Sequence, residues 1–220
     1  MKTKGRPIYI FSDLHWEHPK VDVGQFDATV DRIEDENAWI VLAGDIFDAW
    51  MRSPEYCHEH YYSRMARIRE RVLLYVPGNH DGDMRHEMWV PWPMVYPWHK
   101  IEIDGRWWFI THGHLFGRYK AIFMVTDWID NTRVFRKVTR YIVKRNCLKL
   151  SGRNSSDKQF ISEVVNKALK SGCHVAVAGH THIQSVQDVG PCKFVNPGTA
   201  EGGLTWIKYQ DGEFTAEAFV

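Results

Sequence analysis

Short apolar runs that stop at Asp, Asn or His organise this chain. Ile8-Tyr9-Ile10-Phe11 leads into Asp13-Leu14-His15, and Trp39-Ile40-Val41-Leu42-Ala43 into Gly44-Asp45. Val72-Leu73-Leu74-Tyr75-Val76 precedes Gly78-Asn79-His80-Asp81. Trp107-Trp108-Phe109-Ile110 precedes His112-Gly113-His114, and Val175-Ala176-Val177-Ala178 precedes Gly179-His180-Thr181-His182. Runs this short and this apolar predict strands buried on both faces. Between the first three, helical spacing of Phe26, Val30 and Ile33 predicts a helix around 26–36. A second starts near Ser53-Pro54, an N-cap followed by proline, and runs to about Arg71. The β-α-β-α-β order predicts a largely parallel sheet with right-handed crossovers.

Prolines at 91, 93 and 97 forbid a regular helix over residues 85–98, which read as a loop rich in tryptophan. Asp104-Gly105 predicts a hairpin between strands at 99–103 and 106–111. Residues 117–170 read as helical throughout. Within them, Val134, Phe135, Val138, Tyr141 and Ile142 form one face and Arg133, Arg136, Lys137, Arg140 and Lys144 the other. A further helix begins at the capping-box pattern Ser156-Asp157-Lys158-Gln159 and stops at Gly172. Strands are then predicted at 174–178, 192–196, 204–209 and 213–219, the last two joined by Gln210-Asp211-Gly212.

Composition narrows the classes open to the chain. At 220 residues it is read as one large domain spanning 1–220. A net charge of +1 gives no general pull towards nucleic acid, but the charge is unevenly placed. Gly117 to Arg153 holds ten Lys or Arg against Asp127 and Asp130, so that segment is +8 and the remainder −7. Such basic faces suit an anionic lipid, a membrane surface or a nucleotide diphosphate. Cys57, Cys147, Cys173 and Cys192 lack CxxC spacing and read as free thiols of a reducing compartment. With no apolar run of membrane-spanning length and no signal-like start, a cytoplasmic location is expected. The ten tryptophans leave room for an apolar binding surface.

Carboxylate, amide and imidazole groups without thiolate suit Mn, Fe, Zn or Mg. Asp13-x-His15 and His180-x-His182 would each place two side chains on one face of an extended segment. Asp45 can bridge two cations with its two oxygens, Asn79 offers an amide oxygen, and His112 adds an imidazole. Two cations about 3.5–4 Å apart can hold both oxygens of an in-line displacement at phosphorus. His80 is then placed to protonate a leaving oxygen or to stabilise charge on the phosphate, with Asp81 orienting its ring.

The series Asp13-x-His15, Gly44-Asp45, Gly78-Asn79-His80-Asp81, His112-Gly113 and Gly179-His180-x-His182 resembles the calcineurin-like metallophosphoesterase superfamily. That resemblance implies a four-layer α/β/β/α sandwich and two divalent metal ions, manganese foremost. It implies Asp13, His15, Asp45 and His182 on one ion and Asp45, Asn79, His112 and His180 on the other. His80 would lie beside the phosphate; His114 has no ligand counterpart. Gly44-Asp45-Ile46-Phe47-Asp48-Ala49-Trp50 is similar to a motif of UDP-2,3-diacylglucosamine pyrophosphohydrolases, which also carry a helical cap where this chain has about 117–170. This implies hydrolysis of a pyrophosphate or phosphodiester bond in a nucleotide-linked amphiphile, with peripheral membrane contact through the basic helices. Thr111-His112-Gly113-His114 and Asn196-Pro197-Gly198 look more like the small, broad-specificity phosphodiesterases. A nucleic-acid or cyclic-nucleotide phosphodiesterase is the other enzymatic reading.

Overall fold

The computed structural model describes residues 1–48, 54–81, 90–117, 120 and 158–219. In chain order these form β1 (Ile8–Phe11), α1 (Val23–Asp35), β2 (Trp39–Leu42), α2 (Pro54–Ile68) with a 3-10 turn at Arg69–Arg71, and β3 (Val72–Tyr75). There follow β4 (Trp98–Ile103), β5 (Arg106–Thr111), α3 (Lys158–Lys170), β6 (Val175–Val177), β7 (Ser185–Val189), β8 (Cys192–Asn196), β9 (Thr205–Gln210) and β10 (Glu213–Ala218). The helical cap expected within 117–170 and its basic face, apart from α3, lie outside the described residues, as do residues 85–89 of the tryptophan-rich loop.

Two five-stranded sheets are formed, in the orders β10-β9-β1-β2-β3 and β4-β5-β6-β8-β7. The crossovers make β1, β2 and β3 parallel, as the β-α-β-α-β order predicts. The sheet is mixed overall, because the C-terminal hairpin adds β9 antiparallel to β1 and β10 antiparallel to β9. β5, β6 and β8 are parallel, with β4 and β7 pairing antiparallel at the edges.

Alternation along the strands builds the layers. Tyr9 and Phe11 point to one face of the first sheet, where they pack with Phe26, Ile33, Met65 and Trp206 under α1 and α2. Ile8 and Ile10 point to the other and meet Val41, Trp108, Val177 and Ile207 between the sheets. On the far side of the second sheet, Phe109, Ala176 and Phe194 pack on Phe160 and Val164 of α3. This is the four-layer α/β/β/α arrangement.

Local chemistry accounts for the element ends. α1 starts at Val23 rather than near Phe26 because the Asp22 carboxylate accepts from Gly24 N at 2.9 Å and caps the helix. β7 was not predicted: Ser-Val-Gln-Asp-Val is a polar edge strand with no buried residue. Trp92, one of the tryptophans of the 85–98 loop, lies in the core. Its ring meets Tyr75 edge-on at 5.5 Å, and its Nε1 donates to Met65 O at 3.3 Å. Among the described residues no helix is long and apolar enough to cross a membrane.

Candidate metal centre

The carboxyl ends of β1, β2, β3, β5 and β6 lie at one edge of the sandwich, and the loops leaving them carry all five polar clusters. Strand-like hydrogen bonding continues beyond β1 and β2. Asp13 N donates to Gly44 O, His15 N to Asp45 O and Trp16 N to Ile46 O, at 2.9, 3.0 and 3.2 Å. The chain there is not extended, however. Asp13, His15, Asp45, His180 and His182 have φ of 53°, 42°, 51°, 67° and 58°. The left-handed region is uncommon for side-chain-bearing residues and costs roughly 1–3 kcal/mol at each. Asp13 and His15 thus reach one point by left-handed backbone, not by strand alternation as expected, and His180 and His182 have left-handed backbone too.

Glycines allow the loops to touch. A Cβ on Gly179 would collide with the Ser12 hydroxyl and Asp13 Oδ2. Gly44, at φ 92°, brings its backbone so close to His112 that a Cβ would lie 2.6 Å from that ring.

Three groups of ligand atoms converge, each within 4.8 Å: Asp13, His15 and His182; Asp13, Asp45 and His112; and His15, Asp48 and His80. Asp13 Oδ1 lies 3.2 Å from His182 Nε2 and 3.9 Å from His15 Nε2. Asp45 Oδ2 lies 3.2 Å from His112 Nε2 and 4.0 Å from His15 Nε2. The His180 ring centroid is 5.2 Å from that of His112, and the His180 N–H donates to Asp13 Oδ2 at 2.9 Å. Asn79 is buried beside His80, in the loop that presses on Asp45. His114 is buried with its Nε2 3.3 Å from the Tyr96 hydroxyl.

The second oxygen of each carboxylate is held by protein. Asp13 Oδ2 accepts from Ser12 Oγ and from His180 N. Asp45 Oδ1 accepts from His80 N at 2.8 Å. Asp45 presents Oδ2 to the His15 and His112 imidazoles. Meanwhile His112 Nδ1 donates to Ala43 O at 3.0 Å; a carbonyl only accepts, so the proton sits on Nδ1 and Nε2 is left as a ligand atom.

Asp13 Oδ1, His15 Nε2 and His112 Nε2 are buried and make no hydrogen bond. Buried polar atoms normally have partners, and these face one another across a carboxylate-imidazole pocket. The donor set fits divalent cations, with oxygen and nitrogen ligands in the mixture that transition ions accept.

Without an ion between them, the carboxylates and imidazoles shift one another's charge. Burial alone would raise the Asp13 and Asp45 carboxyls, but the surrounding imidazoles hold both below the usual range. For His112, burial is outweighed by Asp45 and Asp13, which raise it to about 9. Burial lowers His180 to about 3, with the His112 charge adding to it. Burial and then His80 lower His15 to about 4.

His80 stands at the mouth, 16% exposed, its ring edge-on to His15 with centroids 4.7 Å apart. Burial would lower its pKa, but Asp45 and then Asp48 raise it to about 9. Its Nδ1 is 3.0 Å from Asp48 Oδ1. Asp48 is thus the residue that orients His80, a role expected for Asp81. Asp81 instead accepts from the backbone N–H groups of Asp45, Phe47 and Gly78 at 2.7, 2.9 and 2.8 Å, stitching two ligand loops together. The sequence signal for Asp48 was its place three residues after Asp45 in an otherwise apolar stretch.

A two-sheet sandwich with carboxylates and imidazoles gathered at its strand ends defines the class of metal-dependent phosphoesterases. The chain belongs to the calcineurin-like phosphoesterase superfamily, whose domain matches residues 7–210. It is 32% identical to phosphodiesterase YfcE of Escherichia coli over 82 residues, covering 36% of this chain and 44% of that protein. The match therefore spans less than half the length of that curated relative. The solved structure of the E. coli phosphoesterase Yfce has a TM-score of 0.56 at 19% identity, over 97% of this chain and 100% of that one. A solved archaeal phosphodiesterase gives 0.57 at 18%, over 96% and 99%. Vps29 from Entamoeba histolytica gives 0.55 at 14%, over 97% and 98%. At these identities the three solved structures share the fold.

Proposed function

We propose that this chain hydrolyses a phosphodiester bond with the help of two divalent metal ions, manganese foremost, with iron, zinc and magnesium also suited to the ligands. The observation that carries the reading is the set of buried ligand atoms without hydrogen bonds, Asp13 Oδ1, His15 Nε2 and His112 Nε2, gathered around Asp45 Oδ2. Asp13, His15, Asp45 and His182 would hold one ion and Asp45, Asn79, His112 and His180 the other. Such ions supply Lewis acidity at the phosphoryl oxygens and lower the pKa of an attacking water.

The protein's own groups do the rest. Asp48 keeps the proton on His80 Nδ1 and leaves Nε2 to the crevice. From there Nε2–H donates to a phosphoryl or leaving oxygen as charge develops on it. Asp81 acts at one remove, fixing the loops of Asp45 and Asn79 through backbone hydrogen bonds. The test is Mn2+-dependent hydrolysis of bis-p-nitrophenyl phosphate, lost in Asp45→Ala and Asn79→Ala. Activity that survives both substitutions refutes the reading.

The similarity to phosphodiesterase YfcE favours a phosphodiester as the bond cleaved. The finer reading, a UDP-2,3-diacylglucosamine-type substrate with the basic helices against a membrane, is carried by the motif Gly44 to Trp50 and by the +8 charge of 117–153. It expects UMP release from the acylated nucleotide to be much faster than from an unacylated analogue. Equal rates remove it. Oligonucleotide binding that weakens steeply with salt would instead favour a nucleic-acid substrate.

A further inference from the structure

A line of hydrogen bonds runs from α2 to His80 through a residue that has no part in the reaction described above. Glu17, half-buried in the loop after β1, uses both carboxylate oxygens. Oε2 accepts from Asp48 N at 2.5 Å, and Oε1 accepts from the Cys57 thiol at 3.0 Å. Asp48 in turn accepts from His80 Nδ1 at 3.0 Å. Cys57 is fully buried on α2, and Asp48 is 4% exposed. The line therefore joins four segments, α2 and the loops after β1, β2 and β3, and ends at the mouth of the site.

The residue type follows from the partners. The amide N–H of Asp48 and the thiol S–H of Cys57 both donate here, and a carboxylate answers them with one accepting oxygen each, whereas a carboxamide would turn an N–H donor toward one of them. The bond to Asp48 N is charge-assisted, which makes it stronger than a bond between neutral groups. Asp81, in the loop after β3, already holds Asp45 N and Phe47 N, so Glu17, in the loop after β1, completes the pinning of residues 45–48 from the other neighbouring strand. Holding a carboxylate this far out of water is unfavourable unless its bonds are made, which ties Glu17 to this one arrangement.

We propose that Glu17 is a positioning residue for His80: it sets Asp48 in place, with Cys57 anchoring it from α2, and so fixes the direction of the His80 ring. This rests on the reading that His80 acts on the phosphoryl group.

The test is a double-mutant cycle with Glu17→Gln and His80→Ala, read in Mn2+-loaded protein with bis-p-nitrophenyl phosphate. Glu17→Gln is expected to lower kcat by about 10–100-fold, the usual span for a group that orients an active-site side chain, with KM little changed. In the His80→Ala background the same change is expected to add nothing. A second readout needs neither metal nor turnover: the His80 Nδ1–H resonance of metal-free protein is expected to move upfield in Glu17→Gln as its bond to Asp48 loosens. Cys57→Ala, which removes only the thiol donor, is expected to show the same signature at smaller size and serves if Glu17→Gln does not fold. An equal loss in both backgrounds, or an unmoved resonance, overturns the proposal. A wild-type protein inactive with Mn2+, Fe2+ and Zn2+ would overturn the phosphodiesterase reading instead, and the resonance would still decide the role of Glu17.

Discussion

Replacing Gly78 by alanine probes how tightly the loops are pressed together. Gly78 does not have a left-handed φ, so alanine suits its backbone and would by itself stabilise by about 0.4–1 kcal/mol through the unfolded chain. The obstacle is space. The new Cβ would fall 2.7 Å from His112 Cγ and 2.8 Å from Asp45 Cγ, and against Asp45 Oδ1. Both carbon contacts are short of the roughly 3.5 Å at which carbon atoms rest, so something must move by more than half an ångström. Neither neighbour yields easily: His112 is held by Ala43 O and Asp45 by His80 N. Overpacking of this kind costs about 1–3 kcal/mol, so the substitution is expected to be a net loss despite the entropic gain. Urea unfolding of metal-free protein should show the lower midpoint. Titration calorimetry should show Mn2+ affinity reduced about tenfold or more, because both displaced side chains are proposed ligands. Unchanged stability and unchanged Mn2+ affinity would refute the close approach of these loops.

Other expectations follow from the packing and the charges. Trp92→Ala should cost about 3–5 kcal/mol in chemical unfolding, as for a buried aromatic, while Trp92→Phe should leave KM unaltered; a raised KM would restore a substrate role to this ring. Arg67→Ala removes pairs to Asp31 and Glu34 of α1 at 2.6 and 2.5 Å, yet these are exposed, so the loss should be below about 1 kcal/mol and shrink with salt. Asp104 accepts from Thr3 N, Thr3 Oγ1 and Tyr209 OH; slight burial works against ionisation, but these bonds hold its carboxyl below the usual value. A depressed folded pKa stabilises above the unfolded value near 4 and is lost as pH falls through the folded one. The Tm gap between wild type and Asp104→Asn should therefore be full at neutral pH and close in acid, and a gap that widens in acid would refute the assignment.

What the sequence revealed of the fold was what apolar runs can encode. β1, β2, β5 and β6 each place buried residues in an uninterrupted stretch, β3 and β8 do so with one half-buried break, and all six match the predicted ranges to within about two residues. β7 escaped because an edge strand needs no apolar pattern, and Asp22 escaped because a cap can lie several residues before the first buried side chain. The candidate ligands were legible because each ends a run. The manner of their convergence was not, since left-handed backbone at Asp13 and His180 depends on contacts between loops distant in sequence. Asp48 and Glu17 were missed for the same reason. Nothing in a linear reading tells a carboxylate that holds an imidazole from one that faces water. Asp81 shows the converse: its place beside His80 suggested a partner, whereas adjacent side chains in a turn point apart.

The claim at the centre is that Asp45 lies between two metal ions held by the other six ligands. Crystals of the Mn2+-loaded protein, measured on both sides of the manganese absorption edge, address it directly. The expected result is two anomalous peaks about 3.5–4 Å apart, flanking Asp45 Oδ2, with Asp13, His15 and His182 around one and Asn79, His112 and His180 around the other. A single peak, or two that do not share Asp45, would contradict the account.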